Sequence, residues 1–396
     1  MQFGVPSHTE RFSDRISLLL KIAALAIVYH LAARLGLKLA YVQLNTSPVW
    51  PPTGIALAAL LIFGVRLWPG VSLGVFIGSL LSGAPLGLAF GMTLGNTLEA
   101  LAGAFILKRI LHFHNAIDRV QDVVGLMGVA LFSTGISATF GASTLTLTGL
   151  SDPGSFGSIW STWWIGDLLG ALVVAPVLLV WATPSAFPFT ARLLAEGTSL
   201  LALISLVTIY VFSDQPSSSI YHQALLYLIF PFIIWAALRF GQRGACTAIA
   251  LVSGIAIVGT IQGLGPFALQ SMNDSLVLQQ TFTGVVSLTG LILAAATIER
   301  RKASTALSQR AYDLATLSES SKTFLDNAEL PNIYNAICQL AVTRLGLDAT
   351  WIETNGQVAS AGELAAAYGV PIERVPELSS RWGATLSDGK LPAGVV

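Results

Sequence analysis

Long apolar segments separated by short polar stretches run from residue 17 to residue 298. A helix needs about 20 apolar residues to cross the hydrocarbon core of a bilayer. The second and third apolar segments, 52–65 and 68–82, are shorter than this. We therefore expect ten membrane segments, or eight full spans with two broken or partial helices. Either number is even and places both ends of the membrane region on one side. The segments are 17–41, 52–65, 68–82, 87–109, 121–147, 158–182, 193–213, 221–239, 243–262 and 280–298.

The stretch from Asn45 to Gly54 separates the first two segments and has a different pattern. It is uncharged and contains Pro48, Pro51 and Pro52. Proline lacks a backbone donor and holds the residue before it in an extended conformation, so the chain cannot be helical through 47–51. Pro51 should therefore open a new helix. Because irregular backbone at membrane depth must be buried in protein or line a watery cavity, this stretch predicts a pocket.

Composition supports a membrane location for most of the chain. The sequence is 54% hydrophobic and only 11% charged, against about 25% charged in soluble domains, and its mean hydropathy is +0.71. Residues 1–298 are almost all apolar, whereas 299–396 resemble soluble protein. We predict an all-α polytopic membrane bundle of 8–10 helices over residues 16–298, preceded by a cytoplasmic N-terminus, 1–15.

Basic residues predict the orientation of this bundle. Thirteen of them fall at one face, whereas Lys38 is the cation near the opposite loops. Loops rich in Lys and Arg stay in the cytoplasm, so we expect both termini on the cytoplasmic side of a bacterial inner membrane, with Trp50 facing outward. The thirteen are Arg11, Arg15, Lys21, Arg66, Lys108, Arg109, Arg119, Arg192, Arg239, Arg243, Arg300, Arg301 and Lys302.

Several ionisable residues lie inside apolar segments. Glu99 and Asp167 are within segments four and six, and His30, Arg34 and Lys38 recur every four residues on one face of segment one. Such residues are costly in lipid and usually face the bundle interior. Three interpretations are open: ion pairing of Arg34 with Glu99 or Asp167, participation in a ligand pocket, or a proton or ion path.

Tryptophans are concentrated in the same region. Aromatic belts at the lipid headgroups account for many of them, but the prolines beside Trp50 favour a pocket position for that residue. Trp163 and Trp164 are adjacent, so they point about 100° apart and at most one lines a given pocket well.

Five motifs occur in order along the membrane segments: Ser47-Pro48-Val49-Trp50-Pro51-Pro52-Thr53-Gly54-Ile55-Ala56, Trp68-Pro69-Gly70, Gly95-Asn96-Thr97-Leu98-Glu99-Ala100, Asp118 to Val123, and Trp163-Trp164-Ile165-Gly166-Asp167 with Ala175-Pro176. In these motifs and in their order, the sequence resembles the membrane-associated sensor family called MASE, type one, over about residues 16–300. This resemblance implies a bacterial integral-membrane input domain, usually of eight spans, attached to histidine kinases, diguanylate cyclases and similar outputs.

The soluble tail begins with a predicted signalling helix, 299–329. Leu307, Leu314, Leu317 and Phe324 are spaced by seven, three and seven residues, as in heptad positions a and d. We expect a homodimer through the 299–326 helix; a single amphipathic helix packed on its own domain is the alternative.

Residues 330–396 resemble the beginning of an α/β GAF domain. A helix opening at Pro331 precedes an apolar run, 348–354, the pair Asn355-Gly356 and a second run, 357–360. Asn-Gly between alternating runs predicts a β-hairpin. The tail is too short to complete such a sheet, so we expect the output domain to lie beyond residue 396.

The chain carries no recognisable catalytic motif, and its sequence calls for no metal, cofactor or nucleic acid. His112 and His114 lack partners for a metal site, and we expect them to be solvated loop residues.

We therefore predict the sensory input module of a two-component histidine kinase. A small molecule, planar and purine-like with N–H donors, would bind inside the bundle, and the missing output would act on a response regulator. The alternatives are the input domain of a diguanylate cyclase, or a transporter-like protein that senses through a membrane partner. The predicted binding residues are Trp50, Pro51, Thr53, Asn96, Glu99, Trp163 and Asp167.

Overall fold

The computed structural model describes two compact units of the chain. Its described residues are 8–38, 47–184, 190–213, 225–326, 330–345, 347, 350–354 and 363–369. The units are Met1–Arg301 and Lys302–Val396, and the first is the apolar part of the sequence.

Helices make up the first unit, and the last of them, Met272–Asp326, continues past the end of the unit at Arg301. Among the described residues, seven helical segments are long and apolar enough to cross a membrane, which indicates a multi-pass membrane protein. The helices are α1 (His8–Lys38), α2 (Pro51–Phe63), α3 (Trp68–Leu81), α4 (Leu86–Phe105, continued by a π-helical turn, Ile106–Ile110), α5 (Val120–Leu147), α6 (Phe156–Ala182), α7 (Ala191–Phe212), α8 (Ile229–Ile261) and α9 (Met272–Asp326).

The two short segments predicted after the proline-rich stretch are confirmed as α2 and α3. With 13 and 14 residues, each is roughly 20 Å long, less than the hydrocarbon thickness of about 30 Å. Pro51 opens α2 with no backbone donor to satisfy. Gly64 ends it with a φ of 98°, a conformation that favours glycine.

A second glycine divides α8 into two arms, 229–240 and 242–261. Gly241 has a φ of 62° and a ψ of −147°, and a Cβ placed on Gly244 would lie 2.7 Å from the carbonyl oxygen of Ala236. Residues eight apart in a straight helix are about 12 Å apart, so the arms fold back on each other. The predicted separation of segments 221–239 and 243–262 is therefore correct; residues 221–224 lie outside the described chain.

The loops at the basic end of the bundle are tied together by hydrogen bonds. The Gln242 amide donates to Ile117 O at 2.6 Å and to Leu291 O at 3.0 Å, and Arg301 donates to Leu238 O at 2.6 Å. Hydrogen bonds to Asp122 raise the pKa of Arg119 in the same region. The cytoplasmic placement of this end stays a prediction.

Helix α9 runs unbroken to Asp326, and Leu307, Leu314 and Leu317 on its C-terminal part are exposed. The predicted single helix through 299–326 is therefore present, and the dimer stays a prediction. The side chain of Phe324 lies outside the described part of the chain.

Helix α10 (Leu330–Leu345) precedes two antiparallel strands, β1 (Thr350–Thr354) and β2 (Glu363–Tyr368). Thr354 pairs with Glu363, so the described partner of β1 is β2. The predicted second strand, 357–360, lies outside the described residues. One helix and two strands do not establish the GAF resemblance, which stays a prediction.

Candidate functional site

A cavity of about 440 Å³ lies among α1, α3, α4, α5, α6 and the segment 47–50; we call it the chamber. Leu88, Met92 and Asn96 line it from α4. Their spacing of four places them on one helix face over a depth of about 12 Å. Asn96 marks the deep end, and Leu88, near the start of α4, marks the outer end.

Polar groups form the floor of the chamber. Tyr29 OH donates to Asn96 Oδ1 at 2.9 Å, and the Asn96 amide donates to Met92 O at 2.9 Å. Ser137 and Asp167 line the same level from α5 and α6. The floor is therefore made by four helices whose side chains meet at one depth.

The carboxyl group of Asp167 is bonded by hydroxyl groups. Thr53 Oγ1 donates to Oδ1 at 3.2 Å, and Ser137 Oγ donates to Oδ2 at 3.1 Å. Glu99 is 4% exposed and is not part of the chamber lining, and its Oε1 has no hydrogen-bond partner among the described atoms. A buried polar atom without a partner costs about 1–3 kcal/mol. The acidic region around Asp167 and Glu99 could therefore accept a further hydrogen bond.

Trp50 is held in the chamber wall by close backbone packing. Its N–H donates to Gly166 O at 2.9 Å. A Cβ on Gly170 would collide with the Trp50 carbonyl, and one on Gly36 would lie 2.9 Å from the indole ring. Only glycines at these positions let α1 and α6 approach Trp50 from both sides.

The two adjacent tryptophans of α6 diverge as expected. Trp163 lines the chamber and covers Gly141 of α5. Trp164 donates from Nε1 to Leu131 O at 2.8 Å and stacks on Trp160, so one of the pair faces the site and the other does not.

The structure places the seven predicted binding residues in two groups. Four line the chamber: Trp50, Asn96, Trp163 and Asp167. The other three, Pro51, Thr53 and Glu99, are absent from the lining; Thr53 acts behind it through its hydrogen bond to Asp167.

Sequence reasoning missed Tyr29 and Ser137. Ser133, Ser137 and Gly141 recur every four residues on α5 and are all buried. This row of small and hydroxyl-bearing residues on one helix face is the sequence pattern from which Ser137 could have been predicted to face the bundle interior. Ion pairing of Arg34 with Glu99 or Asp167 is wrong, because no described ion pair joins them and the donors to Asp167 are hydroxyls.

Among the described residues, no group of three His, Cys, Asp or Glu side chains could hold a metal ion. The polar groups that line the chamber include hydroxyl, amide, imidazole, guanidinium and carboxyl groups, which can bond to an organic ligand.

The MASE1 family model matches residues 21–302, which is most of the membrane unit. The chain belongs to the MASE1 family. Its membrane unit is therefore a membrane-associated sensor domain, and the chamber lies inside the matched region.

A curated relative gives the MASE1 domain a context. The Escherichia coli (strain K12) protein named Probable diguanylate cyclase DgcE is 25% identical over 348 residues, 85% of this chain and 28% of the relative. The chain thus spans just over a quarter of that relative's length. No solved structure matches the chain.

The last helix of the MASE1 domain touches the chamber wall. Gln280 of α9 is 5% exposed, and its Nε2 donates to Pro48 O at 3.4 Å. Pro48 lies between Ser47 and Trp50, which both line the chamber. A shift of this wall would therefore reach α9 through one hydrogen bond.

Proposed function

We propose that this chain is the sensory input module of a larger signalling protein and that the chamber binds a small molecule. The observation that carries the proposal is the chamber wall, because one short segment, 47–50, both lines the cavity and bonds to α9. The ligand would enter from the outer side or from the membrane, and would meet Trp50 and Trp163 before reaching Asp167.

Transmission needs two arrangements of the bundle with different affinities for the ligand. A ligand pressed against Trp50 would favour one position of the Pro48 carbonyl and hence of Gln280. Helix α9 continues from there to Asp326, and its exposed leucines would pair with a second copy in a dimer. Rotation or shift of α9 would carry the signal.

Two classes of signalling protein fit this module. In the first, the chain is the input half of a histidine kinase that acts on a response regulator. The second is the input half of a diguanylate cyclase, and the name of the E. coli relative favours it. Reading the gene beyond Val396 distinguishes them, because only the kinase needs a phospho-acceptor histidine and an ATP-binding domain.

The chamber can be tested without knowing its ligand. Ala33 lines it, whereas the adjacent Ala32 does not. In the complete protein in its own cells, Ala33→Trp should fill the cavity and fix the output in one state. Ala32→Trp, which adds the same volume about 100° around α1, should leave regulation normal. Normal regulation in the Ala33→Trp protein at wild-type abundance would refute the chamber as the sensing site.

A further inference from the structure

The chamber carries opposite charges on two facing walls. Asp167 lines it from α6, and Arg34 lines it from α1. Glu99, which is not part of the lining, is buried close to Asp167. One wall therefore offers carboxyl oxygens, and the other offers a guanidinium group, within one cavity of about 440 Å³.

Neither charge has a charged partner among the described residues. The donors to Asp167 are the neutral hydroxyls of Thr53 and Ser137. No described hydrogen bond or ion pair involves the Arg34 side chain, and His30 Nδ1, one helical turn below Arg34, is buried without a partner. Asp167 is 6% exposed, and an isolated charge in a low-dielectric environment is expensive, so this wall favours a cationic group. The Arg34 side chain is exposed and lines the same cavity, where its guanidinium group can bond to an anionic group.

Helix geometry places Arg34 above the chamber floor. Arg34 is five residues beyond Tyr29 of the chamber floor, a rise of roughly 7 Å along α1. Helical side chains tilt toward the N-terminus of their helix, and for α1 that direction leads down toward the floor. The guanidinium group therefore extends toward the level of the Asp167 carboxyl without forming an ion pair with it, and a small molecule could lie between the two groups.

We propose that the ligand is a zwitterion of the ω-amino acid type, with its amine on Asp167 and its carboxylate on Arg34. The aliphatic middle would pass Trp50, Met92 and Trp163, which supply the apolar part of the lining. This inference rests on the proposed function and specifies its ligand. The zwitterion differs from the planar, purine-like molecule expected from the sequence, whose N–H donors could bond to Asp167 but which brings no carboxylate to Arg34.

The test uses the full chain in lipid nanodiscs and measures dissociation constants by calorimetry. The probes are β-alanine, γ-aminobutyrate and ε-aminocaproate, the methyl ester of γ-aminobutyrate, butyrate, and adenine. At least one zwitterion should bind tenfold or more tightly than the ester or butyrate, because a charge-assisted hydrogen bond contributes at least that factor.

Substitutions assign the two ends of the ligand. Arg34→Gln should weaken zwitterion binding to the level of the ester and leave the ester unchanged, and Asp167→Asn should weaken the zwitterion and the ester together. Lys38→Gln is the matched control, since Lys38 is one turn beyond Arg34 on α1 and does not line the chamber. If Asp167→Asn does not fold, the comparison of zwitterion, ester and butyrate still tests both charges.

Two results would overturn the proposal, and both are distinct from failure of the proposed function. Adenine binding that Arg34→Gln leaves unchanged would keep the chamber as a sensing site and refute the zwitterion. Binding of none of the six probes would also refute it. The proposed function itself would fail only if the Ala33→Trp protein remained normally regulated.

Discussion

Replacing Gly170 with alanine should separate α6 from the segment that carries Trp50. A Cβ at this position would collide with the carbonyl oxygen of Trp50 and lie 2.8 Å from its carbonyl carbon. The obstacle is backbone, so no side chain can rotate away. Overpacking of this kind costs about 1–3 kcal/mol, and here the upper end applies. Alanine returns about 0.5–1 kcal/mol of helix propensity, which leaves a net loss of roughly 2 kcal/mol.

Reversible unfolding in mixed micelles can measure this loss against a matched variant. Gly128 of α5 has no neighbouring atom within 4 Å of the position that a Cβ would occupy, so Gly128→Ala should be neutral or slightly stabilising. The Gly170→Ala protein should also bind ligand more weakly, because the N–H of Trp50 would no longer donate to the carbonyl oxygen of Gly166. If both variants unfold within about 0.5 kcal/mol of each other, the close backbone approach of α6 to Trp50 is wrong.

Three further substitutions test the hydrogen bonds around the chamber. Thr53→Val should cost about 1–3 kcal/mol in unfolding free energy because Asp167 loses a donor, whereas Thr53→Ser should retain stability. Gln280→Leu should retain ligand binding but abolish the ligand-dependent change in spin-label distances on α9, because the hydrogen bond to Pro48 O is lost; an unchanged response would remove this contact from the transmission route. Gln242→Leu should lower the free energy of unfolding by about 2–4 kcal/mol, since two buried carbonyls lose their donor. Thermal unfolding would measure this loss, with Gln262→Leu at an exposed position as the control.

Much of the fold could be predicted because apolar length and proline chemistry act locally. The predicted segments 68–82, 121–147 and 158–182 match helices that begin and end within two residues of them. The interruption of the helix before Pro51 could be predicted because proline lacks a backbone N–H and has a fixed φ. The two folded-back arms of α8 followed from two adjacent apolar runs, although the sharp reversal at Gly241 depends on a positive φ that the sequence alone does not prescribe.

The candidate site was harder to predict because lining a cavity depends on how helices are rotated against one another. Asn96 and Glu99 are three residues apart on α4, yet Asn96 lines the chamber and Glu99 does not. Thr53 follows Trp50 by three residues, but it bonds to Asp167 from behind the wall. Contacts such as Gly170 against Trp50 set these rotations, and they join residues more than one hundred positions apart in sequence.

The irregular segment 47–50 is stabilised by hydrogen bonds to two different helices and by one hydrogen bond within the segment. Trp50 N–H bonds to α6, Pro48 O accepts from α9, and Ser47 Oγ donates to Val49 O at 2.6 Å. Such a segment cannot move without exchanging these partners, so its position is expected to change between discrete arrangements rather than continuously. A wall with this property suits a receptor better than a regular helix would, because a ligand of modest size can select between two bonded states. The same bonds that stabilise the irregular backbone therefore provide the link from the chamber to α9.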